Sequence, residues 1–255
     1  TTTNYNPFSH SEKKAPAESY FYLAQAQHLN YELDKAIASY NTFNENITKK
    51  HYLFDDLEYY KQQCLNAQAA VKNPVNIIVN NLGNKINTEY PEYSPVVSLD
   101  ESIIYFTSRR LRADSTNYFY KDENDGMYYE DIFVSENIDG TWSDPQPLSI
   151  NTENHEATIN MSLDGQTLFI YKDDNGNGNL YSTNKGDDEW STPQLLGSDI
   201  NSESDETHAA ISPDGKLLYF VSDRDGGLGG QDIYVCKQVP NGEWAKAQNA
   251  GSAIN

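Results

Sequence analysis

The chain has 255 residues, with 18 Lys and Arg against 38 Asp and Glu, for a formal net charge of −20. A balance this acidic repels phosphate backbones and excludes nucleic acid as the expected partner. No stretch of 18 or more apolar residues is present to cross a membrane as a helix.

Thr1 to Pro16 is polar and aperiodic, an expected extended lead-in (1–16), and Thr1-Thr2-Thr3 reads as the edge of a processed or trimmed chain. From Glu18 the apolar spacing turns helical. Tyr20, Leu23, Ala24 and Ala26 make one face, and Leu33, Ala36, Ile37, Tyr40 and Phe43 the next. Asn30-Tyr31-Glu32 is the turn between them, and small residues at Ala24 and Ala36 let the two helices approach. A third helix is expected from about Leu53 to Val71, with Leu57, Tyr60, Cys64, Leu65 and Ala69 toward the pair. It stops at Asn73-Pro74, because proline disfavours helix in the residue before it. The spacing over 17–73 resembles a tetratricopeptide repeat. Cys64 here and Cys236 far downstream lack the neighbours of a metal or redox motif, so both read as small buried hydrophobes.

Residues 74–255 repeat. An Asn is followed by a Glu five residues on and an Asp eight beyond that, as Asn87, Glu92, Asp100; Asn151, Glu156, Asp164; and Asn201, Glu206, Asp214. After each Asp come two apolar runs, first Ile103 to Phe106, Leu168 to Tyr171 and Leu217 to Val221, then the runs beginning at Asp131, Asn179 and Asp232. All three tryptophans, Trp142, Trp190 and Trp244, close the copies at one equivalent place, where packing between neighbouring sheets is the expected role. Four short strands per unit with one aromatic signature is the pattern of a β-propeller blade. The expected fold class is therefore α+β: N-terminal helices, then antiparallel propeller blades at about 87–150, 151–200 and 201–254. Asp164-Gly165 and Asp214-Gly215 supply tight hairpin turns, whereas Asp100-Glu101 implies a different or strained one. Leu82 to Asn87 matches Leu196 to Asn201, so Val75 to Val79 occupies the place of a blade's last strand. Three blades and an orphan strand do not close a ring, and the reading favours a chain that continues past Asn255 over completion by another chain.

The helical pair joined to NNLGNKINTEYPEYSPVVSLDESIIYFTSRR and to SPDGKLLYFVSDRDGGLGGQDIYV resembles cell-envelope proteins of the Bacteroidetes OmpA family, PorE-like proteins with tetratricopeptide repeats and a WD40-like propeller of the TolB type. The resemblance implies a periplasmic, outer-membrane-associated adaptor linked to type IX secretion or gliding, whose partners are envelope proteins and possibly an outer-membrane barrel protein. Peptidoglycan would be held only through an OmpA-like domain that this sequence lacks.

Several constellations bear on chemistry. Asp173, Asn175 and Asn177 fit the opening of a calcium loop, but Asn184 stands where a bidentate Glu belongs, and a plain Asx/Gly hairpin is the simpler reading. Glu92, Glu156 and Glu206 form either a carboxylate ring or structural acceptors for hydrogen bonds from a neighbouring blade. His155 and His208 sit beside them at different offsets, which argues against a repeated metal site. Tyr118, Phe119, Tyr120, Tyr128 and Tyr129 cluster in an insert of the first blade, as a recognition surface or as rings folded back on the blade. Arg109 and Arg224 read as one repeat position. With no Gly-x-Ser-x-Gly, HExxH or phosphate loop, the expectation is a non-enzymatic scaffold without cofactor. A carbohydrate- or peptide-binding propeller is the alternative, and a glycosidase-type propeller the weakest reading.

Overall fold

The computed structural model describes residues 6, 8 and 15–255 apart from 175 and 188, so most of the expected lead-in lies outside the described residues. The chain divides into two compact units, Thr1–Val79 and Asn80–Asn255.

The first unit holds three helices, α1 (Glu18–Leu29), α2 (Leu33–Glu45) and α3 (Phe54–Lys72). Tyr31, with a positive φ of 60°, makes the turn between α1 and α2. Phe21, Ala24, Ala36, Tyr40, Phe43, Leu57 and Cys64 form the core, and both alanines are fully buried where the helices meet. The α1 face differs from the expected one. Phe21 points inward and Leu23 and Ala26 face solvent, because four aromatic rings gather around Phe21. On α3, Leu57 and Cys64 are buried but Leu65 and Ala69 are exposed. The end of α3 touches α2 instead through a polar contact, Gln68 Nε2 donating to Asp34 Oδ1 at 2.6 Å. The Tyr40 hydroxyl is buried with no hydrogen-bond partner among the described residues. Val75, Ile77, Ile78 and Val79 are 70–91% exposed and form no strand, in contrast to the expected last strand of a blade.

The second unit is three antiparallel sheets in series. The first contains β1 (Glu92–Val97), β2 (Ile103–Ser108), β3 (Asp131–Ile138), β4 (Thr141–Trp142) and β5 (Gln146–Pro147). The second contains β6 (Glu156–Met161), β7 (Thr167–Asp173), β8 (Gly178–Asn184) and β9 (Gln194–Leu195). The third contains β10 (Glu206–Ile211), β11 (Leu217–Ser222), β12 (Asp232–Lys237) and β13 (Gln248–Asn249). Strands pair with their chain neighbours, except that β5 pairs with β3, and each first strand carries an irregularity of register, which bends it. Among the described residues the first and third sheets share no contact, so the series stays open.

Burial explains the series. A sheet of four short strands cannot cover both faces by itself. Tyr105 and Ile132 of the first sheet therefore share a core with Leu168 and Ile170 of the second. Phe169 and Leu180 of the second share another with Leu218, Phe220, Tyr234 and Cys236 of the third. The Asp100-Glu101 hairpin adopts the same turn as its Gly-bearing counterparts, with Glu101 at φ 58° beside Gly165 at 70° and Gly215 at 71°. It is strained, as the sequence implied, but it is not a different turn.

Candidate functional site

The repeated Asn residues act as peptide mimics. Asn151 accepts from the Ile132 N–H at 2.8 Å and donates to the Ile132 carbonyl at 2.9 Å. Asn201 does the same to Leu180, and Asn255 to Ile233. Each thereby ties the start of one copy to the third strand of the copy before. Asn87, before which no such strand lies among the described residues, is exposed and accepts from the Leu82 N–H instead.

The repeated Glu residues are held just as regularly. Glu156 accepts from the Thr152 N–H at 2.8 Å and from the Thr152 hydroxyl, Glu206 from the Ser202 N–H and hydroxyl at 2.9 and 2.7 Å, and Glu92 from the Thr88 N–H at 3.0 Å. A cation completes each site. Arg110 lies 3.0 Å from Glu92, Lys172 3.3 Å from Glu156, and Arg224 2.8 Å from Glu206. These donors come from the Glu's own copy, not from a neighbouring one, because the turn places the Thr or Ser four residues ahead against the carboxylate. Arg110, not Arg109, therefore shares the repeat position of Arg224, and both guanidiniums lie over two aromatic rings. Burial pushes the Glu156 carboxyl up, against the bonds from Thr152 and the charge of Lys172.

The three tryptophans sit at one repeat position. Each pairs with the residue six beyond the repeat positions Asp131, Asn179 and Asp232: Trp142 with Asn137, Trp190 with Lys185 and Trp244 with Gln238. All are half-buried. Trp190 reaches back to the first sheet, edge-on to Tyr105 at 5.8 Å.

A titratable cluster that the sequence did not reveal joins the first two sheets. Glu130, just before β3, accepts from the Tyr93 hydroxyl of β1 and lies 2.7 Å from His155 Nδ1, just before β6. Tyr129 packs on the His155 ring at 4.3 Å. The Glu130 hydrogen bond raises the His155 pKa against the opposing effect of burial. Burial raises the Glu130 carboxyl, but His155, Tyr93 and Arg109 outweigh it and leave it below its ordinary value. Glu130 and His155 are 25 positions apart, and Tyr93 and Glu130 37, with no shared motif, so only the pairing of the sheets brings them together.

The aromatic insert divides. Tyr128 is buried under Lys121, whose ammonium lies 4.5 Å from its ring, and the Tyr120 hydroxyl donates to Glu153 at 2.6 Å. Tyr118 and Phe119 are 52% and 87% exposed and meet edge-on. Arg112 and the buried Asn117, both bonded to Asp131, pin the insert to β3. In the third copy the equivalent Asp232 accepts from the Leu228 and Gly229 N–H groups, and a Cβ at Gly227 would come within 2.7 Å of its carboxylate. In the candidate calcium loop, Asp173 Oδ1 accepts from the Gly176 N–H in an Asx turn and the Asn177 amide reaches toward the Ser202 carbonyl. Asn175 lies outside the described residues. Among those described, no three His, Cys, Asp or Glu side chains gather so as to hold a metal ion.

The hairpin tips repeat a fourth arrangement. Ser98, Ser162 and Ser212 donate to Oδ1 of Asp100, Asp164 and Asp214 at 2.6 Å each. The backbone N–H two residues after each Asp donates to the same oxygen. These bonds lower all three carboxyls, Asp100 to about 2. Oδ2 of each has no partner among the described residues. The residue between Ser and Asp is pushed outward, as Leu99 (77% exposed), Leu163 (54%) and the exposed Pro213. A groove of about 500 Å³ separates the first two tips and one of about 360 Å³ the second and third.

No family model matches this chain, and no curated protein matches it. Solved structures do. TolB from Acinetobacter baumannii is 21% identical over 66% of this chain and 35% of that one, with a TM-score of 0.44. A putative TolB from Agrobacterium tumefaciens is 16% identical over 61% of this chain and 44% of that one, with a TM-score of 0.42. Prolyl oligopeptidase B from Galerina marginata is 13% identical over 60% and 20%, with a TM-score of 0.38. The match therefore spans less than half the length of each.

Proposed function

We propose that the chain is a non-enzymatic adaptor of the cell envelope, working by protein contact, with its three sheets serving as consecutive blades of a WD40-like, TolB-type propeller and its helices as a tetratricopeptide-like module. Its setting on this reading is the periplasm beside the outer membrane, in a PorE-like protein of the OmpA family associated with type IX secretion or gliding in Bacteroidetes. The partner to test first is an outer-membrane barrel protein of that machinery.

The observation that carries the scaffold reading is how the recurrent polar side chains are used. The Asn of each later copy holds the backbone of the sheet before it, and each Glu is bound by its own Thr or Ser and a cation. Groups spent in this way build a frame, and a frame of stacked repeats offers variable loops as contact surface. Crosslinking with mass spectrometry on the native envelope tests the proposal. Crosslinks from the second unit to envelope proteins are the expected result, and their absence contradicts it. The exposed Tyr118–Phe119 pair favours a second reading, carbohydrate binding, which a glycan array tests with Phe119→Ala as the control.

A further inference from the structure

We infer that the row of β-hairpin tips is a docking ridge for an extended polypeptide segment in which apolar and cationic side chains alternate; this rests on the scaffold reading above and names the partner's chemistry. Each tip offers an exposed apolar residue, Leu99, Leu163 or Pro213, followed at once by an Asp whose Oδ1 is tied into the turn and whose Oδ2 faces outward free. Because three donors converge on Oδ1 of Asp100 and two on Oδ1 of Asp164 and Asp214, the charges are fixed in place before any ligand arrives, which reduces the ordering that binding must supply.

The space between tips is apolar where it is deep. Ile103, Tyr105 and Met161 line the groove between the first two tips, with Leu99 and Leu163 on its rims. A neighbouring groove of about 270 Å³ adds Val96, Val97 and Ile159. One cation, Lys185, lines the larger groove, against Asp100 and Asp164 on its two sides. Between the second and third tips the charged lining is Asp164 and Asp214 alone. An apolar side chain seated in a groove leaves its chain neighbours aimed outward along the ridge, where lysine or arginine meets the free Oδ2 atoms. An extended strand supplies that alternation directly. An acidic or uniformly apolar segment would leave these fixed carboxylates repelled or desolvated without a partner.

The probe is an acetylated, amidated and fluorescently labelled peptide alternating Lys and Leu, titrated into the full chain at physiological salt. A peptide of the same composition with its lysines and leucines in separate blocks controls for bulk attraction to an acidic protein. The alternating peptide is expected to bind at least tenfold more tightly than the block peptide. Leu99→Ser combined with Leu163→Ser should remove that advantage while leaving the melting temperature unchanged, because both side chains are exposed. Asp100→Asn with Asp214→Asn keeps an Oδ1 acceptor for each turn and should flatten the salt dependence. Equal affinity for the two peptides, or wild-type affinity in the Leu double variant, overturns the inference. The Leu double variant also separates the two proposals in the native envelope: unchanged crosslinks sink the ridge and leave the scaffold standing, whereas no crosslinks from the wild type sink the scaffold itself.

Discussion

Between the first and second sheets, Thr107 and Thr158 share a buried hydrogen bond of 3.0 Å, Thr158 donates on to the Ser94 carbonyl, and Glu130 pairs with His155. Between the second and third sheets the positions of the two threonines hold Tyr171 and the exposed His208, and that of Glu130 holds Gly178, whose N–H donates to Asp205 at 2.7 Å. Both junctions have an apolar core and the same Asn clamp. The first adds bonds between side chains, one of them titratable, while the second adds the single Gly178–Asp205 bond to Phe169, Leu180 and Phe220 meeting across the gap. One repeat thus supports two kinds of joint. The clamp and the core set the stacking, and the variable positions decide whether the joint responds to pH.

Removing packing from the second joint should have the largest effect. Phe169→Ala deletes a ring that is 4% exposed and should destabilise the second unit by about 3–5 kcal/mol, equally at acid and neutral pH, in urea denaturation. At the first joint, Thr158→Val strands the Ser94 carbonyl and a buried threonine hydroxyl, for an expected loss of about 1–3 kcal/mol by the same method.

The His155–Glu130 pair sharpens the contrast. His155 is raised in the folded state, so its contribution is complete below its unfolded value near 6.5 and lost as pH rises through the folded value. Glu130 is lowered, so its contribution is complete above its unfolded value near 4.5 and lost as pH falls through the folded value. The pair is therefore at full strength between those values. His155→Asn should cost about 1–2 kcal/mol in that window and progressively less above it, and a loss independent of pH would refute the assignment. The smallest effect expected is a gain. Glu101→Gly relieves a left-handed φ that glycine already fills in the other two copies, and should stabilise the first hairpin by about 1 kcal/mol.

What the sequence made legible was whatever repeats. The copies of Asn, Glu, Asp and Trp, the apolar runs that became β2, β3, β7, β8, β11 and β12, and the strained Glu101 turn could all be read by superposing one copy on another. What repetition does not encode was missed. One position that repetition does encode was also misplaced: Arg110, not Arg109, follows its repeated Glu by 18 residues as Arg224 does, and the bonds both make to that Glu and to the Ser two residues before confirm the register. Spacing alone could not choose between Phe21 and Leu23 for the α1 core, since both recur near a helical period, and the surrounding rings decided it. Val75 to Val79 reads as a strand by its place before the repeated segment Leu82 to Asn87, yet a strand needs a neighbour's backbone as well as a place in the repeat. The insert's five aromatics looked alike on paper and separated only once Asn117 and Arg112 had anchored the loop to Asp131.

Residue-resolved amide exchange tests the stacking account most directly. If each repeat's Asn holds the third strand of the sheet before it, Asn151→Ala should accelerate exchange at Ile132 and leave Leu180 protected, while Asn201→Ala should do the reverse. Protection at Ile132 and Leu180 that is indifferent to both substitutions would contradict the account.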